Sequence, residues 1–388
     1  MIRVSRKIVV FGAGATGRGH VGLLCWQAGF EIVFVDHNKN LVDLLQKSSR
    51  YEVKLYGDTL QTITVDNFKI FHSDERMAVA REVAESTLVL TAVFDQNLPD
   101  VAITLAKAIS ICRETGRNEP LNVIACENMM DSSSVLKKYV RSYLSPEDQS
   151  YLDASIGFPD CMISRVVPKP EPDPLVIVTE DYNEWTARKE AFKGNRPAGL
   201  EALELVDNQT ARLERKLFIH NGGHAVCGYM GFHRHWNYIH EALTDPVVVE
   251  HVLGSLDELG EIVKVKHGFS SDSIEKYKQD LGRRGAIPQM KDDILRVVRD
   301  PIRKLSPRER LVAPANLAVE YGLPRRWIVR GIVAALKYNH PGDIQSVQLS
   351  EKIKNEGLNR VLGEVCQINT DSPLLPEIDR EWKNWKQP

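Results

Sequence analysis

Three side chains suited to acid–base chemistry lie within a stretch of nine residues. Lys216, Asn221 and His224 stand in the segment KLFIHNGGH, where apolar residues surround an amine, an amide and an imidazole. In one regular helix, Lys216 and His224 would be about 12 Å apart along the axis, at ~1.5 Å per residue. We therefore expect Gly222 and Gly223 to break the helix and let the three side chains converge. An exposed lysine and a core histidine around a helix break would give the same pattern.

A glycine-rich turn near the N-terminus predicts a nucleotide site. The apolar strand 7–11 runs into GAGATG at 12–17, a helical segment follows to residue 29, and a second strand, 31–35, ends at Asp36. This order of elements is the dinucleotide-binding pattern, in which the helix N-terminus attracts phosphate groups. We expect the cofactor to contact the residues of the turn, namely Gly12, Gly14, Ala15, Thr16 and Gly17.

The three glycines and the acid have separate expected tasks. Gly12 permits the tight turn, Gly14 lets the backbone approach the pyrophosphate, and Gly17 lets the helix pack close to the strand. Asp36 lies where a carboxylate accepts hydrogen bonds from both ribose hydroxyls and repels a 2′-phosphate. The sequence therefore favours NAD over NADP, although Lys39 nearby would weaken that repulsion.

The nucleotide site gives the lysine segment a chemical interpretation. Oxidising an alcohol requires a base for the hydroxyl proton while hydride leaves for the nicotinamide. The six scattered cysteines form no metal-ligand spacing, so we expect no metal. A lysine whose pKa is lowered by apolar surroundings can be the base, as we propose for Lys216. Asn221 and His224 would then donate hydrogen bonds to the oxygen as it gains negative charge.

Further strands are predicted at 62–65, 88–92, 121–126 and 175–179, and they extend a doubly wound sheet. Ligands bind beyond the carboxyl ends of strands in such sheets. The residues that follow two of these strands, Val93-Phe94-Asp95 and Glu127-Asn128, are therefore candidates. We assign Val93 and Glu127 to the cofactor. Asn128 would orient a substrate hydroxyl or the nicotinamide ribose, or be an ordinary turn residue.

The second half of the chain is predicted to be helical. The proline-rich stretch 167–174 cannot be a helix, and from about Leu200 onward helical spacing dominates, with segments at 246–259, 292–298 and 327–336. Trp382 and Trp385 are expected to dock a C-terminal segment on the core. The predicted fold class is α/β, with a Rossmann domain over 1–198 and a mostly α-helical substrate domain over 199–388.

Composition excludes several classes of protein. The net charge of −2 over 388 residues lacks the excess of positive charge that is typical of proteins that bind nucleic acid or an acidic membrane surface. No apolar run reaches the ~20 residues of a membrane span, and no signal peptide precedes the first strand. Scattered cysteines favour a reducing compartment. We expect a cytoplasmic protein that binds a small molecule.

Several spaced motifs carry a family resemblance: FGAGATGRGHVG at the N-terminus, ACENM at 125–129, KLFIHNGGHA at 216–225, KDDILRVVRDPIRKLSPRERL at 291–311 and EYGLP at 320–324. The chain resembles the polyol-specific long-chain dehydrogenases, and its length suits their phosphate-using branch. The resemblance implies a Rossmann domain, a helical substrate domain, and a metal-free monomer or small homo-oligomer. It implies Lys216 as general base, with Asn221, His224 and Asn128 assisting, and NAD-linked interconversion of mannitol 1-phosphate and fructose 6-phosphate.

The chain departs from the family pattern where the substrate is expected. It has Ile163-Ser164-Arg165 in place of Val-Asp-Arg, Arg283–Pro288 in place of Arg-Phe-x-Asn-Pro, and Gly222 after the catalytic amide. A hexuronate (tagaturonate or fructuronate) reductase, an unphosphorylated polyol dehydrogenase and a noncatalytic NAD-binding regulator are therefore alternatives. The candidate substrate contacts are the basic residues Arg165, Arg283, Arg284, Arg303 and Lys304. For the adjacent pair Arg283 and Arg284, a solvated surface is the plainer interpretation.

Overall fold

The computed structural model describes residues 6–167 and 171–385. The chain divides into two compact units, Met1–Leu213 and Glu214–Pro388. Three residues of the proline-rich stretch, 168–170, lie outside the described part.

The first unit contains the strands. In chain order they are β1 (Lys7–Phe11), β2 (Glu31–Asp36), β3 (Arg50–Tyr56), β4 (Leu60–Asp66), β5 (Phe68–His72), β6 (Leu88–Thr91), β7 (Leu121–Ala125), β8 (Ile156–Gly157), β9 (Cys161–Ser164), β10 (Val176–Glu180), β11 (Glu184–Arg188) and β12 (Leu203–Val206).

Six of these strands form a parallel sheet in the order β5-β2-β1-β6-β7-β8. The chain runs outward from β1 through β2 to β5 and then resumes at β6 on the other side of β1. All five residues of β1 are buried, as expected for a strand covered on both faces. The strand order reverses between β1 and β6, which is where open α/β sheets bind their ligands.

Helices cover both faces of this sheet because β1 alternates its side chains between two cores. Ile8 and Val10 pack with one helical layer, and Val9 and Phe11 pack with the other. The helical segments of this unit are Gly17–Val21 (a π-helix), Gly22–Gln27, Lys39–Ser48, Arg76–Glu85, Asp95–Asn97 (3-10), Leu98–Glu114, Ser132–Ser142, Pro146–Ser155, Lys189–Ala191 (3-10) and Gln209–Arg215. The predicted α/β fold class is confirmed.

Two predicted strands lie outside the doubly wound sheet. The segments predicted at 62–65 and 175–179 are strands β4 and β10, but they pair with β3 in a separate sheet ordered β10-β3-β4. A short turn joins β3 to β4, so the two pair antiparallel, while β10 pairs with β3 in parallel on its other side.

A third sheet corrects the boundary of the helical region. Its order is β12-β11-β9, and β12 lies where the sequence predicted helices from about Leu200 onward. The pairing of β12 with β11 stabilises this strand. The hydrophobic pattern of β12 itself does not reveal that pairing, so the sequence did not predict the strand.

The second unit is helical. Its segments are Lys216–Gly222 (a π-helix), Gly223–His233, Ile239–Ala242, Pro246–His267, Ser271–Gly285, Pro288–Met290 (3-10), Ile294–Val298, Pro301–Lys304, Val312–Glu320, Arg326–Leu336, Ile344–Glu356, Leu358–Glu364 and Leu374–Lys383. Asp245 caps the predicted helix at Pro246 by accepting a hydrogen bond from the Val247 N–H at 2.9 Å. Trp382 and Trp385 pack against the core of this unit, as predicted. No helix among the described residues is long and apolar enough to cross a membrane.

Candidate functional site

The glycine-rich turn follows β1 at the point where the strand order reverses. Gly12 has φ +95°, and a Cβ there would lie 2.2 Å from the Ala92 carbonyl oxygen. A Cβ on Gly17 would lie 1.8 Å from the Gly12 carbonyl oxygen. A Cβ on Gly14, by contrast, would meet nothing within 4 Å. Two of the glycines are therefore required by the protein's own packing, whereas the open side of Gly14 leaves the backbone accessible to a ligand.

The turn continues into a helix that begins as a π-helix, Gly17–Val21, and continues as the α-helix Gly22–Gln27. Ala15 and Thr16 are half-buried at the start of this segment. Gly14 and Ala15 also line a cavity of about 390 Å³, whose lining includes Asn38 and three residues of β10. The turn thus opens onto a recess large enough for part of a nucleotide.

Asp36 is fixed against the glycine turn. One carboxylate oxygen accepts from the Ala13 N–H at 2.7 Å, and the other accepts from the Asn38 N–H at 2.9 Å. Each oxygen keeps a lone pair for a further donor such as a ribose hydroxyl. Lys39, which the sequence suggested could weaken the repulsion of a 2′-phosphate, pairs with Asp43 at 3.0 Å.

Glu127 holds the turn that follows β6. Its carboxylate accepts from the Thr91 hydroxyl at 2.9 Å, the Val93 N–H at 2.9 Å and the Phe94 N–H at 3.0 Å. Burial raises the pKa of Glu127, while these three donors act in the opposite direction. Glu127 and Val93, predicted as separate cofactor contacts, are therefore parts of one hydrogen-bonded turn. Asn128 follows with an exposed side chain at the carboxyl end of β7.

The predicted helix break at Gly222 and Gly223 is wrong. Both glycines have helical backbone angles, and the chain passes without interruption from the π-helix Lys216–Gly222 into the α-helix Gly223–His233. A Cβ on Gly223 would lie 2.6 Å from a methyl group of Leu256, and one on Gly222 would lie 3.0 Å from the Arg310 carbonyl oxygen. The glycines therefore allow close helix packing rather than a bend.

The π-helix changes the directions in which the side chains point, without removing the separation of Lys216 and His224 along the helix axis. In an α-helix, residues five apart point about 140° away from each other. A π-helix joins residues i and i+5 by hydrogen bonds, so Asn221 comes nearly above Lys216. His224 follows Asn221 by three residues, the spacing of neighbours on an α-helix face. The local helix type thus brings the three predicted catalytic residues to one side.

An aspartate distant in sequence fixes the orientation of His224. The Nε2 atom of His224 lies 2.9 Å from Oδ2 of Asp292, and the other Asp292 oxygen accepts from Nε of Arg296 at 3.0 Å. Burial acts to raise the pKa of Asp292, but the opposite effect of His224 and Arg296 is larger. The pKa of Asp292 is therefore lowered to about 2. Asp292 is therefore a buried carboxylate that stays ionised beside the imidazole.

Positive charge surrounds this group of residues. The His220 ring packs edge-on against His224 at 5.8 Å between centroids. Burial first, and then the charges of Arg284, His224, Lys216 and Arg310, hold the pKa of His220 well below its usual range. Sequence analysis missed His220, Asp292, Arg296 and Arg310 as parts of this site. His220 lies in the motif at 216–225 and the other three lie in the motif at 291–311, but neither motif gave them roles.

The candidate substrate residues differ in their surroundings. Arg165 donates to the carbonyl oxygens of Tyr182 and Gly19, and Arg303 is exposed and paired with Glu309 at 3.0 Å. Lys304 is only 4 % exposed and donates to the Arg299 carbonyl. Burial first, and then Arg310 and Arg303, lower the pKa of Lys304 to about 7.

Arg283 and Arg284 end the helix Ser271–Gly285, the first exposed and the second buried. Of these two arginines, Arg284 contributes to the lowered pKa of His220 and Arg283 does not. Among residues 6–167 and 171–385, no cluster of three or more His, Cys, Asp or Glu side chains could hold a metal ion.

Comparisons with known proteins identify the family. Residues 6–200 match the mannitol dehydrogenase Rossmann domain, and residues 210–384 match the mannitol dehydrogenase C-terminal domain. The mannitol-1-phosphate 5-dehydrogenase of Thermoanaerobacter pseudethanolicus is 32 % identical over 384 residues, covering 98 % of each chain. That of Anoxybacillus flavithermus is 34 % identical over 376 residues, covering 96 % of this chain and 98 % of the relative.

Two solved structures share the fold at low sequence identity. Pseudomonas fluorescens mannitol 2-dehydrogenase, in a ternary complex with NAD and D-mannitol, has a TM-score of 0.77 at 18 % identity, over 99 % of this chain and 92 % of the other. A D-sorbitol dehydrogenase in substrate-free form has a TM-score of 0.82 at 16 % identity, over 98 % and 93 %. The resemblance seen in the sequence is confirmed: the chain belongs to the mannitol dehydrogenase family of nicotinamide-dependent oxidoreductases, which act on CH–OH groups.

Proposed function

We propose that this protein interconverts mannitol 1-phosphate and fructose 6-phosphate with NAD as the hydride carrier. The observation that carries the proposal is near-full-length similarity to two mannitol-1-phosphate 5-dehydrogenases, at 32 % and 34 % identity. The side chains expected for this chemistry, Lys216, Asn221 and His224, lie on one side of a helix in the helical unit.

The glycine turn and Asp36 suit NAD. Gly14 leaves the backbone open for the pyrophosphate, and Ala15 and Thr16 begin a helix whose free N–H groups favour an anion. The Asp36 carboxylate, held by two backbone N–H groups, would accept from the adenosine ribose and repel a 2′-phosphate. Bound NAD supplies the acceptor for the hydride that leaves the alcohol carbon.

Lys216 is our candidate for the general base. Its Nζ would take the hydroxyl proton during oxidation and return it to the carbonyl oxygen during reduction. Asn221, aligned with Lys216 by the π-helix, would donate from its amide to the same oxygen. Asn128, exposed after β7, is the further amide that we assign to the substrate.

The contact with Asp292 limits what His224 can do. With an Nε2–H donated to the carboxylate, a neutral ring offers Nδ1 only as an acceptor. Donation from Nδ1 to the substrate oxygen therefore requires a proton on both ring nitrogens. We infer that His224 acts as a cationic donor that stabilises the developing negative charge, with Asp292 as its positioning residue.

For the phosphate group we propose the buried basic residues of the helical unit. Arg284 acts on the site electrostatically, and Lys304 would gain its proton more readily beside a phosphate. Arg165, Arg283 and Arg303 are further candidates for the remaining substrate oxygens.

A substrate panel tests the proposal. NADH oxidation is measured separately with fructose 6-phosphate, fructose, tagaturonate and fructuronate, and NADH binding is measured in parallel. We expect turnover with fructose 6-phosphate at a kcat/KM far above that of the other three. A preference for a hexuronate or for fructose would replace the substrate assignment. Binding of NADH without turnover of any ketose would instead favour the noncatalytic regulator.

A further inference from the structure

Phe94 adopts a backbone conformation that a bulky residue rarely occupies. It lies in the turn after β6 with φ +65° and ψ 150°, a region that is populated almost entirely by glycine. Its side chain is 73 % exposed, so no burial of the ring in the described structure offsets the strain. Strained backbone of this kind persists only where the surroundings fix it, and it is concentrated at functional sites.

The surroundings of Phe94 do fix it. The buried Glu127 carboxylate accepts from both the Val93 N–H and the Phe94 N–H, at 2.9 and 3.0 Å. The Asn97 side-chain amide donates to the Val93 carbonyl at 2.5 Å, and Glu127 is itself held by the Thr91 hydroxyl at 2.9 Å. These four hydrogen bonds hold the turn that presents an aromatic ring to solvent.

The position of Phe94 relates this ring to the dinucleotide. A Cβ on Gly12 would lie 2.2 Å from the Ala92 carbonyl oxygen and 3.2 Å from a methyl group of Val93. The glycine turn and the turn after β6 are therefore in contact at the carboxyl edge of the sheet. Phe94 is the next residue along this edge, where the strand order reverses between β1 and β6.

We propose that the Phe94 ring is a stacking surface for a planar ring of the bound dinucleotide. This inference rests on the proposed nicotinamide cofactor and adds a binding residue to it. A flat heterocycle packed on the phenyl ring would bury the exposed apolar surface. The free energy gained by this stacking would compensate for the backbone strain at Phe94. In the protein without ligand, no contact of the ring compensates for it.

The test uses the full-length protein and two measurements that do not depend on turnover. Phe94→Gly relieves the strain and removes the ring, whereas Phe94→Tyr keeps the ring and Phe94→Leu keeps an apolar side chain without one. Thermal melting without cofactor and NADH affinity by titration calorimetry are measured for each. We expect Phe94→Gly to melt about 1–3 °C higher than wild type and to bind NADH about tenfold more weakly. Phe94→Tyr should bind NADH like wild type, and Phe94→Leu should bind it as weakly as the glycine variant.

Fragments of the cofactor identify the stacked ring. If ADP-ribose loses as much affinity for the glycine variant as NADH does, the adenine stacks on Phe94; if only NADH loses affinity, the nicotinamide does. Either result supports the proposal. NADH binding by Phe94→Gly at wild-type affinity or tighter would overturn it and leave the proposed reaction intact. Failure of the wild type to bind NADH would instead remove the proposed cofactor, and the inference about Phe94 with it.

Discussion

Replacing Asp292 by Asn removes the charge that orients His224. The structure allows the cost in stability to be worked out, because the pKa of Asp292 falls from 3.8 to about 2 in the folded protein. At ~1.4 kcal/mol for each pKa unit, this shift corresponds to about 2 kcal/mol. Since the folded pKa is lowered, the stabilisation is fully present above pH 3.8 and is lost as the pH falls toward 2. Asp292→Asn should therefore unfold about 2 kcal/mol more easily at pH 7, and the difference should vanish in strong acid.

The catalytic effect should be larger than the loss of stability suggests. An amide at residue 292 no longer presents a carboxylate to Nε2 of His224, so the ring loses the contact that fixes its orientation toward the substrate. We expect kcat for reduction of fructose 6-phosphate to fall by about tenfold to a hundredfold, with KM for NADH unchanged.

Asp245→Asn is the matched control. Asp245 is also a buried aspartate with a lowered pKa, and its carboxylate accepts from Arg234 at 2.7 Å. Its substitution should also lower stability, but it should leave kcat close to that of wild type. The interpretation of Asp292 as a positioning residue would be refuted if Asp292→Asn lost only as much kcat as the control, or lost kcat and NADH affinity together.

Two further substitutions test separate parts of the structure. Asp36→Ala removes the carboxylate beside the glycine turn, so the ratio of kcat/KM for NADH over NADPH should fall by at least about tenfold; an unchanged ratio would mean that the ribose contact lies elsewhere. Glu258→Ala removes a buried carboxylate. Its Oε2 atom accepts hydrogen bonds from the Trp327 N–H and the Ile328 N–H, both at 2.9 Å. That change should cost about 1–3 kcal/mol in urea unfolding, and an unchanged midpoint would show that water replaces the carboxylate.

Local chemistry explains which parts of the fold the sequence predicted. Continuous apolar runs identified β1, β2, β6 and β7, because parallel strands are buried on both faces. Cap residues predicted the start of the helix at Pro246 for an equally local reason. The sheet to which β4 and β10 belong was not predictable in this way, because strand pairing depends on partners far away in the chain.

The candidate site shows the same division. Residue types and spacing identified Lys216, Asn221 and His224, but the glycine pair suggested a break where the chain forms a π-helix. The two glycines pack closely against Leu256 and the Arg310 backbone, and these contacts with distant residues are not visible in the local sequence pattern. Asp292 was missed for a related reason: it lies just before the helix Ile294–Val298, and several helical segments separate it in the chain from His224.

The central claim is that Lys216 transfers the proton, and a single-turnover experiment tests it most directly. Enzyme loaded with NADH is mixed with fructose 6-phosphate in a stopped-flow instrument, and the chemical step is compared for wild type, Lys216→Ala and the exposed-lysine control Lys276→Ala. The account predicts that Lys216→Ala slows this step by at least about a hundredfold, with NADH affinity within about twofold of wild type and the control unaffected. A Lys216→Ala variant that oxidises NADH at a rate comparable to wild type would contradict it.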